Sequence, residues 1–223
     1  MTEIYIIRHA QAEGNLYRMM QGNWDGDVTP LGLRQIDALA GRFRHVKIDA
    51  LYSSDLYRTR VTASAITRWH SIPMQLDARL REIHMGPWET EFFGNLEYRY
   101  PEKLHDFIFE PERFSLDGAE TYAQVAHRTS EALREIAGNN PGRTVAIVCL
   151  WDEAAQVAVC GAPCVGIAGD VIVPVLGGVY VLMAQGDLIA RARSKRTAQV
   201  GKVVYIVGGE AAIIIEQVHD AGV

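Results

Sequence analysis

Short apolar runs and helically spaced apolar residues follow one another along residues 1–150 of the chain. Ile4–Ile7 form a nearly continuous apolar run, and a second run lies in 143–150, RTVAIVCL. Runs of this kind are typical of strands that are buried on both faces of a sheet. Between them, Thr29-Pro30 is a helix start, because threonine is a good N-cap and proline suits the first helical position. This order of strands and helices predicts an α/β fold.

The same patterns predict the remaining elements. Apolar positions that recur every three or four residues indicate helices, and apolar runs bounded by turn residues indicate strands. In chain order the predictions are a helix from Thr29 to about His45, a strand at Ile48–Tyr52, a helix capped by Ser53, Ser54 or Asp55 with Arg58 in its first turn, an extended stretch at Met74–Ile83, helices at Pro101–Glu110 and Glu120–Gly138, a hairpin of Val179–Met183 with Leu188–Ala192, and strands at Lys202–Val207 and Ala212–Ile215.

Two segments show no sustained period. Residues 10–27 are rich in Gly, Asn, Gln and Asp, which predicts a loop that folds over the end of the first strand. Residues 85–118 are punctuated by Gly and Pro and contain many aromatic residues, and a segment of this length is commonly a lid or binding insert. We expect a lid-like insert at about 87–118. A substrate wall and a small satellite core are both open interpretations of its aromatic residues, and they are compatible.

The first apolar run ends abruptly in Arg8 and His9. Ligands of open α/β sheets collect beyond the carboxyl ends of strands, so this is where chemistry is expected. An Arg-His pair after a strand is, by itself, more often the start of a solvated loop. A functional interpretation therefore needs support from the rest of the chain.

Composition excludes several classes of protein. The chain has 223 residues and a formal net charge of -5, with a pI near 5.8, which suits one domain and disfavours broad binding of nucleic acid. Three cysteines, Cys149, Cys160 and Cys164, make an odd set without a CxxC pair, so a reducing compartment is favoured over a disulfide framework. No signal-peptide pattern and no run long enough to span a bilayer is evident, and we expect a cytoplasmic protein that does not bind membranes.

Five motifs in order carry a family resemblance: RHAQAEGN, DVTPLGLRQ, LYSSDLYRTRVTA, LREIHMGPWE and DGAETYAQVAHR. Together they resemble the histidine phosphatase superfamily, which includes the cofactor-dependent phosphoglycerate mutases. The resemblance covers roughly residues 1–150. It implies a three-layer α/β/α sandwich with a mostly parallel sheet and a site at the strand ends. The expected organisation is one domain, residues 1–223, whose carboxyl part is atypical from about residue 150.

The resemblance also implies roles for individual residues. His9 matches the nucleophile that becomes a phosphohistidine, and Glu82 matches the general acid that protonates the leaving oxygen. Guanidinium forks suit phosphate because they meet its oxygens with two parallel hydrogen bonds. In this family Arg and His stabilise the negative charge of the phosphoryl group, which a metal ion does in other enzymes. The resemblance therefore implies neither a metal nor another cofactor. The expected phosphate-binding set is Arg8, Arg58, Asn15 and Gln21.

One departure from the family pattern concerns the end of the second apolar run. Leu150 and Trp151 stand where the family has a second histidine followed by glycine, and loss of one such donor typically costs about 10² to 10³ in turnover. Four explanations stay open: a weakened or specialised enzyme, replacement of the donor by another group such as His127 or His219, phosphate binding without turnover, and a changed reading frame in the carboxyl third.

The favoured function is hydrolysis of small phosphomonoesters by a phosphatase. A phosphoglycerate mutase is the first alternative, but the family mutases place a lysine and paired arginines in the insert, where this chain has mainly acidic and aromatic residues with Arg99 and Lys103 scattered among them. A phosphate-binding or regulatory module without turnover is the second alternative. The expected partner is a small phosphorylated metabolite. The Val- and Ile-rich carboxyl part is also compatible with a homodimer interface.

Overall fold

The computed structural model describes residues 2–149 and, beyond them, the backbone of five further strands. The helices are α1 (Glu13–Tyr17), α2 (Pro30–Phe43), α3 (Tyr57–Thr67), α4 (Phe93–Arg99), α5 (Pro101–Phe109) and α6 (Tyr122–Asn139). The strands are β1 (Thr2–Arg8), β2 (Ala50–Ser53), β3 (Met74–Leu76), β4 (Thr144–Cys149), β5 (Val165–Ile167), β6 (Asp170–Val175), β7 (Val179–Ala184), β8 (Val200–Val207) and β9 (Ala211–Val218).

The nine strands form one sheet in the order β3-β2-β4-β1-β9-β8-β7-β6-β5. Each pairing from β3 to β9 in this order is parallel, and each pairing from β9 to β5 is antiparallel. The predicted α/β fold is confirmed, and the predicted parallel pairing holds in the part of the sheet that contains β1, which lies between β4 and β9. The carboxyl ends of β1, β2 and β4 therefore meet at one edge of the sheet.

Helices cover both faces of β1, which explains its continuous apolar sequence. Ile4 and Ile6 pack in a cluster with residues of α6, whereas Tyr5 and Ile7 pack in a second cluster with residues of α2 and α3. All four side chains are at most 5% exposed. Burial of one such aliphatic side chain is worth roughly 1.5 to 3 kcal/mol. The three-layer arrangement predicted from the family resemblance is thus present around the strand that leads to His9.

Helix starts follow the sequence signals closely in two places. The Thr29 hydroxyl accepts a hydrogen bond from the Gly32 amide, and Pro30 occupies the first position of α2. The Thr121 hydroxyl accepts from the Gln124 backbone amide at the start of α6, while the side-chain oxygen Oε1 of Gln124 accepts from the Thr121 backbone amide. Both helices and α5 confirm their predictions, with ends displaced by a few residues.

Three local predictions need correction. The helix after β2 starts at Tyr57 with Leu56 as its N-cap, although Arg58 is in the first turn as expected. Within 74–83 only Met74–Leu76 form a strand, because Asp77 caps a 3-10 helix at Ala78–Leu80. The segment 10–27 is not all loop, since it contains α1.

The insert forms its own small core. Its apolar residues pack with residues of α6 and of the 19–20 region, and the cluster is Met20, Ile83, Met85, Trp88, Leu96, Leu104, Phe107, Phe114, Tyr122 and Val125. Gly86 allows this packing, because it has φ +52° and an added Cβ would lie 2.5 Å from the Gly118 carbonyl oxygen. The satellite core expected from the aromatic residues is therefore present.

The predicted strands in the carboxyl part correspond to β7, β8 and β9. β7 pairs with β6 and β8. Residues 188–192, which were expected to form a hairpin with β7, lie outside the described residues. The same holds for Leu150, Trp151, Cys160, Cys164 and His219. Among the described residues, no helix has the length and apolar character that a membrane crossing requires.

Candidate active site

A cavity of about 250 Å³ opens where β1 ends. All six residues predicted from the family motifs line it, although they come from four separate segments of the chain. The chain therefore brings together a histidine, two arginines, two amides and a carboxyl group at the edge of the sheet. The complete lining is Arg8, His9, Asn15, Arg18, Met19, Met20, Gln21, Gly22, Arg58, Glu82, Ile83, Met85, Phe93 and Phe107.

The backbone around β1 orients the imidazole of His9. The His9 amide donates to the Cys149 carbonyl at 3.2 Å, which ties the residue to the end of β4. The ring atom Nδ1 donates to the Ala10 carbonyl at 2.6 Å, because a carbonyl oxygen can only accept. The Ala10 amide in turn donates to the Thr62 hydroxyl at 2.9 Å. With its proton on Nδ1, the imidazole has a lone pair on Nε2, as the predicted role of nucleophile requires.

The electrostatic environment keeps this imidazole neutral. The pKa of His9 is lowered to about 3, mainly because burial removes the imidazolium from water, and in smaller part because of the charges of Arg58 and Arg8. The hydrogen bond to Ala10 opposes these effects without cancelling them. A lowered pKa means that the neutral form predominates at pH 7. An imidazole in this form could attack without a base to remove its proton.

Arg58 is held by the loop that follows α1. Its side chain is fully buried, and its Nη1 and Nη2 atoms donate to the carbonyls of Trp24 and Gly22, each at 2.7 Å. Burial lowers the pKa of Arg58, while the charges of Glu82, Asp25 and Glu89 raise it. The Nε atom is buried without a hydrogen-bond partner. A buried donor without a partner is costly, and a phosphate oxygen would satisfy it.

The remaining predicted phosphate ligands differ in how firmly they are held. The Arg8 guanidinium forms no hydrogen bond or ion pair with the described residues, so its donors are available to a ligand. Asn15 accepts from the Ala12 amide at 3.0 Å through Oδ1, which leaves its amide nitrogen as the donor. The Gln21 Oε1 atom is buried without a partner. Its amide nitrogen is the atom that could donate to phosphate.

Glu82 lies on the segment that connects the 3-10 helix at Ala78–Leu80 with the insert. Its Oε1 atom accepts from the Ile83 amide at 3.1 Å. Its charge raises the pKa of Arg58, and it also adds to burial, the larger cause, in raising the pKa of Cys149 to about 12. Cys149 is therefore a neutral thiol beside the site. The structure places Glu82 within electrostatic reach of the cation and of the end of β4.

Sequence reasoning missed Glu89, which connects the loop after α1 with the segment around Met85. Its Oε1 atom accepts from the amides of Asn23 at 2.8 Å and Met85 at 3.2 Å, and it lies 2.8 Å from the Nδ1 atom of His84. This carboxylate fixes the loop whose carbonyls hold Arg58. The only signal in the sequence was its place at the end of the motif LREIHMGPWE.

The cavity also has an apolar part of its lining. Phe93 and Phe107 belong to the insert and line the cavity, so the insert that forms the satellite core also contributes to the cavity wall. Contact of these residues with a substrate stays a prediction. Arg18 is the exception at the rim: it is exposed, adopts φ 54°, and its side chain has no hydrogen-bond partner among the described residues. The apolar lining consists of Met19, Met20, Ile83, Met85, Phe93 and Phe107.

Two insert cations that matter for the mutase alternative lie elsewhere. Arg99 forms an ion pair with Glu91 at 3.5 Å, and the Lys103 ammonium donates to the Ser115 carbonyl at 2.9 Å. Neither lines the cavity. His127, the described spare imidazole on α6, is 75% exposed and lies 3.6 Å from Glu131, in agreement with a surface position.

Comparison with known proteins gives consistent matches. The sequence model of the histidine phosphatase superfamily (branch 1) matches residues 4–150. Phosphoserine phosphatase 1 of Hydrogenobacter thermophilus is 30% identical over 148 residues, covering 66% of this chain and 70% of that protein. A probable phosphoglycerate mutase GpmB of Yersinia pestis is 31% identical over 133 residues, covering 60% and 62%. Bacillus stearothermophilus YhfR superposes with a TM-score of 0.69 at 28% identity, covering 84% of this chain and 98% of that chain. The region that matches the family contains every residue that lines the cavity.

Proposed function

The chain belongs to the histidine phosphatase superfamily and is an enzyme of the phosphatase type, and we propose that it hydrolyses small phosphomonoesters through a phosphohistidine on His9. One observation carries this proposal: a neutral imidazole with a free Nε2 atom shares a cavity with Arg8, Arg58 and Glu82. The arginines supply the positive charge that a phosphoryl group requires. The carboxyl group supplies a proton.

The proposed first step transfers the phosphoryl group to the enzyme. The Nε2 lone pair of His9 forms a bond to phosphorus, and the bond from phosphorus to the ester oxygen breaks. Protonated Glu82 gives its proton to that oxygen, so an alcohol leaves. Positive charge develops on the imidazole, and the hydrogen bond from Nδ1 to the Ala10 carbonyl stabilises it. The free donors of Arg8 and the Nε atom of Arg58 hold the equatorial oxygens during transfer.

The proposed second step regenerates the enzyme with water. A water molecule attacks phosphorus, the Glu82 carboxylate accepts its proton, and the bond from Nε2 to phosphorus breaks. Inorganic phosphate leaves, His9 is again neutral, and Glu82 is again protonated. The lowered pKa of His9 favours this return, because the free imidazole does not retain a proton at pH 7.

The lining of the cavity supports hydrolysis of esters whose alcohol has an apolar part. Six apolar side chains line the cavity and are available to contact the alcohol part of an ester, whereas Arg99 and Lys103 make their contacts elsewhere. A mutase must retain a phosphorylated, carboxylate-bearing intermediate, and cations near the leaving group serve that purpose. Among the described residues, Arg18 is the one cation that lines this cavity apart from Arg8 and Arg58.

Turnover is expected to be modest because of Leu150, which lies outside the described residues. A leucine in place of the second family histidine cannot donate to the transferring phosphate, and such a loss typically costs about 10² to 10³ in turnover. This reduction is included in the proposal. The remaining histidine, arginines and carboxyl group are sufficient for the two steps above.

Release of inorganic phosphate from a panel of phosphomonoesters tests this function. The panel contains aryl phosphates, alkyl phosphates, phosphoserine and 3-phosphoglycerate, and a coupled assay follows conversion of 3-phosphoglycerate to 2-phosphoglycerate. We expect phosphate release from several esters, fastest with apolar alcohols, and slower isomerisation than hydrolysis. Isomerisation that exceeds hydrolysis would select the mutase. Vanadate binding by calorimetry without any turnover would select a phosphate-binding module.

A further inference from the structure

Arg128 on α6 uses every N–H group of its guanidinium in contacts near the candidate acid. Nη1 donates to the carbonyls of Arg79 and Arg81, both at 2.7 Å. Nη2 donates to the Glu82 carbonyl and to Glu120 Oε2, both at 2.9 Å, and Nε donates to Glu120 Oε1 at 2.9 Å. A guanidinium has five N–H donors, so none is left for a ligand. Arg128 does not line the cavity.

Glu120 extends this contact to the next residues of the chain. Its Oε2 atom also accepts from the His84 amide at 2.8 Å, and its own amide donates to the His84 carbonyl at 2.8 Å. Arg128, on α6, and Glu120, just before α6, form an ion pair. Together they hold the backbone from Arg79 to His84 at both ends. Glu82 lies in the middle of this held segment.

We propose that Arg128 is a positioning residue that sets the place of the Glu82 carboxyl group relative to the ester oxygen. This inference rests on the proposed function, in which Glu82 is the general acid. Proton transfer to a leaving oxygen requires hydrogen-bond reach, and a displacement of about 1 Å can cost about 10²-fold in rate. The planar guanidinium binds three backbone carbonyls, those of Arg79, Arg81 and Glu82, and so can hold the Glu82 backbone in place to within such a distance. Lysine cannot replace it, because an ammonium has three donors and no planar fork.

The leaving-group dependence of kcat/KM tests the proposal. A p-nitrophenolate leaves without protonation, whereas an alkoxide needs the proton of Glu82, so the ratio of kcat/KM for an alkyl phosphate to that for p-nitrophenyl phosphate reports the acid. We expect Arg128→Lys to lower this ratio by about tenfold or more. A purely structural role would lower both values by the same factor and leave the ratio unchanged.

Three further variants separate the possible outcomes. Arg134→Lys is the matched control, because Arg134 lies exposed on the same helix, and its ratio should equal that of the unmodified enzyme. Glu120→Gln weakens the support of Arg128 and should lower the ratio in the same direction, which keeps the proposal testable if Arg128→Lys does not fold. The double variant Glu82→Gln/Arg128→Lys should show no lower ratio than Glu82→Gln alone.

The results distinguish failure of the inference from failure of the proposed function. If Glu82→Gln lowers the ratio but Arg128→Lys and Glu120→Gln leave it unchanged, the positioning role is overturned while the acid stands. If Glu82→Gln itself leaves the ratio unchanged, the acid role is wrong, and the positioning role is overturned with it. A further fall of the ratio in the double variant would show that Arg128 acts by a route other than Glu82.

Discussion

Replacement of His9 by alanine is expected to reduce hydrolysis of p-nitrophenyl phosphate by about 10³-fold or more. Removal of a nucleophile from a complete catalytic site costs on the order of 10⁶-fold in turnover. The proposal already includes the loss of a donor worth about 10² to 10³ at the position of Leu150, so the loss expected from this variant is smaller. Phosphate release in a steady-state assay measures the effect. Affinity for inorganic phosphate should change much less than turnover, since Arg8 and Arg58 also line the cavity.

The control for this variant is His127→Ala. His127 is a histidine of α6 whose side chain is 75% exposed, and its removal should leave turnover unchanged. Thermal unfolding of both variants shows whether either has lost its fold. Retention of most of the activity in a folded His9→Ala protein would mean that another group attacks phosphorus.

Replacement of Glu82 by glutamine is expected to reduce kcat/KM for an alkyl phosphate by about 10² to 10⁴-fold, the usual contribution of a general acid. Glutamine has nearly the same shape and can donate a hydrogen bond, but its amide protons are not acidic enough to be transferred to the leaving oxygen. For p-nitrophenyl phosphate the loss should be less than about tenfold, because that leaving group needs no proton. The measurement is kcat/KM for both substrates with the same enzyme preparation, and the difference between the two losses reports the contribution of the acid.

Glu131→Gln serves as the matched control for Glu82→Gln. Glu131 is an exposed carboxylate on α6, and the same chemical change there should affect neither substrate. An equal loss for both substrates in Glu82→Gln would point to a role in binding or folding instead of proton transfer. Unchanged kinetics would remove Glu82 from the mechanism.

The position of the site was predictable because it depends on local sequence. A buried apolar run that ends in Arg8 and His9 places both residues where a strand leaves the sheet, and the later motifs supply the support for a site there. Arg58 follows β2 by a few residues, so its place in the first turn of α3 brings it to the same edge. The family motifs then identified Glu82, which composition or spacing alone does not single out. The structure brings all of these residues to one cavity.

The supporting contacts were not predictable, because they join residues that are distant in sequence. Arg58 donates to carbonyls 34 and 36 residues away, and Arg128 donates to carbonyls between 46 and 49 residues away. Backbone carbonyls are present at every position, so the sequence contains no pattern that marks them as partners. These contacts depend on the packing of α6 and of the loop after α1 against the sheet. They became visible only in the folded chain.

Local competition explains the smaller errors. Asp77 caps a 3-10 helix through a hydrogen bond with the Arg79 amide at 2.8 Å, which ends β3 after three residues although the sequence there is compatible with a longer strand. Ser54 was a plausible helix cap, yet its hydroxyl lies 3.4 Å from the Leu56 amide, and α3 begins after Leu56. Ser and Asp side chains stabilise several kinds of local turn. Their presence therefore predicts that a helix or strand ends or begins nearby, but not the residue at which it does so.

The central claim is that the phosphoryl group is transferred to the imidazole of His9, and mapping of the phosphorylated residue tests it most directly. The enzyme is mixed with p-nitrophenyl phosphate, quenched in alkali, digested with trypsin and analysed by mass spectrometry. The account predicts one phosphate, stable in alkali and lost in acid, on the peptide of residues 9–18, HAQAEGNLYR, whose only histidine is His9. An active enzyme that carries the phosphate on another peptide, or none at any quench time, would contradict the account.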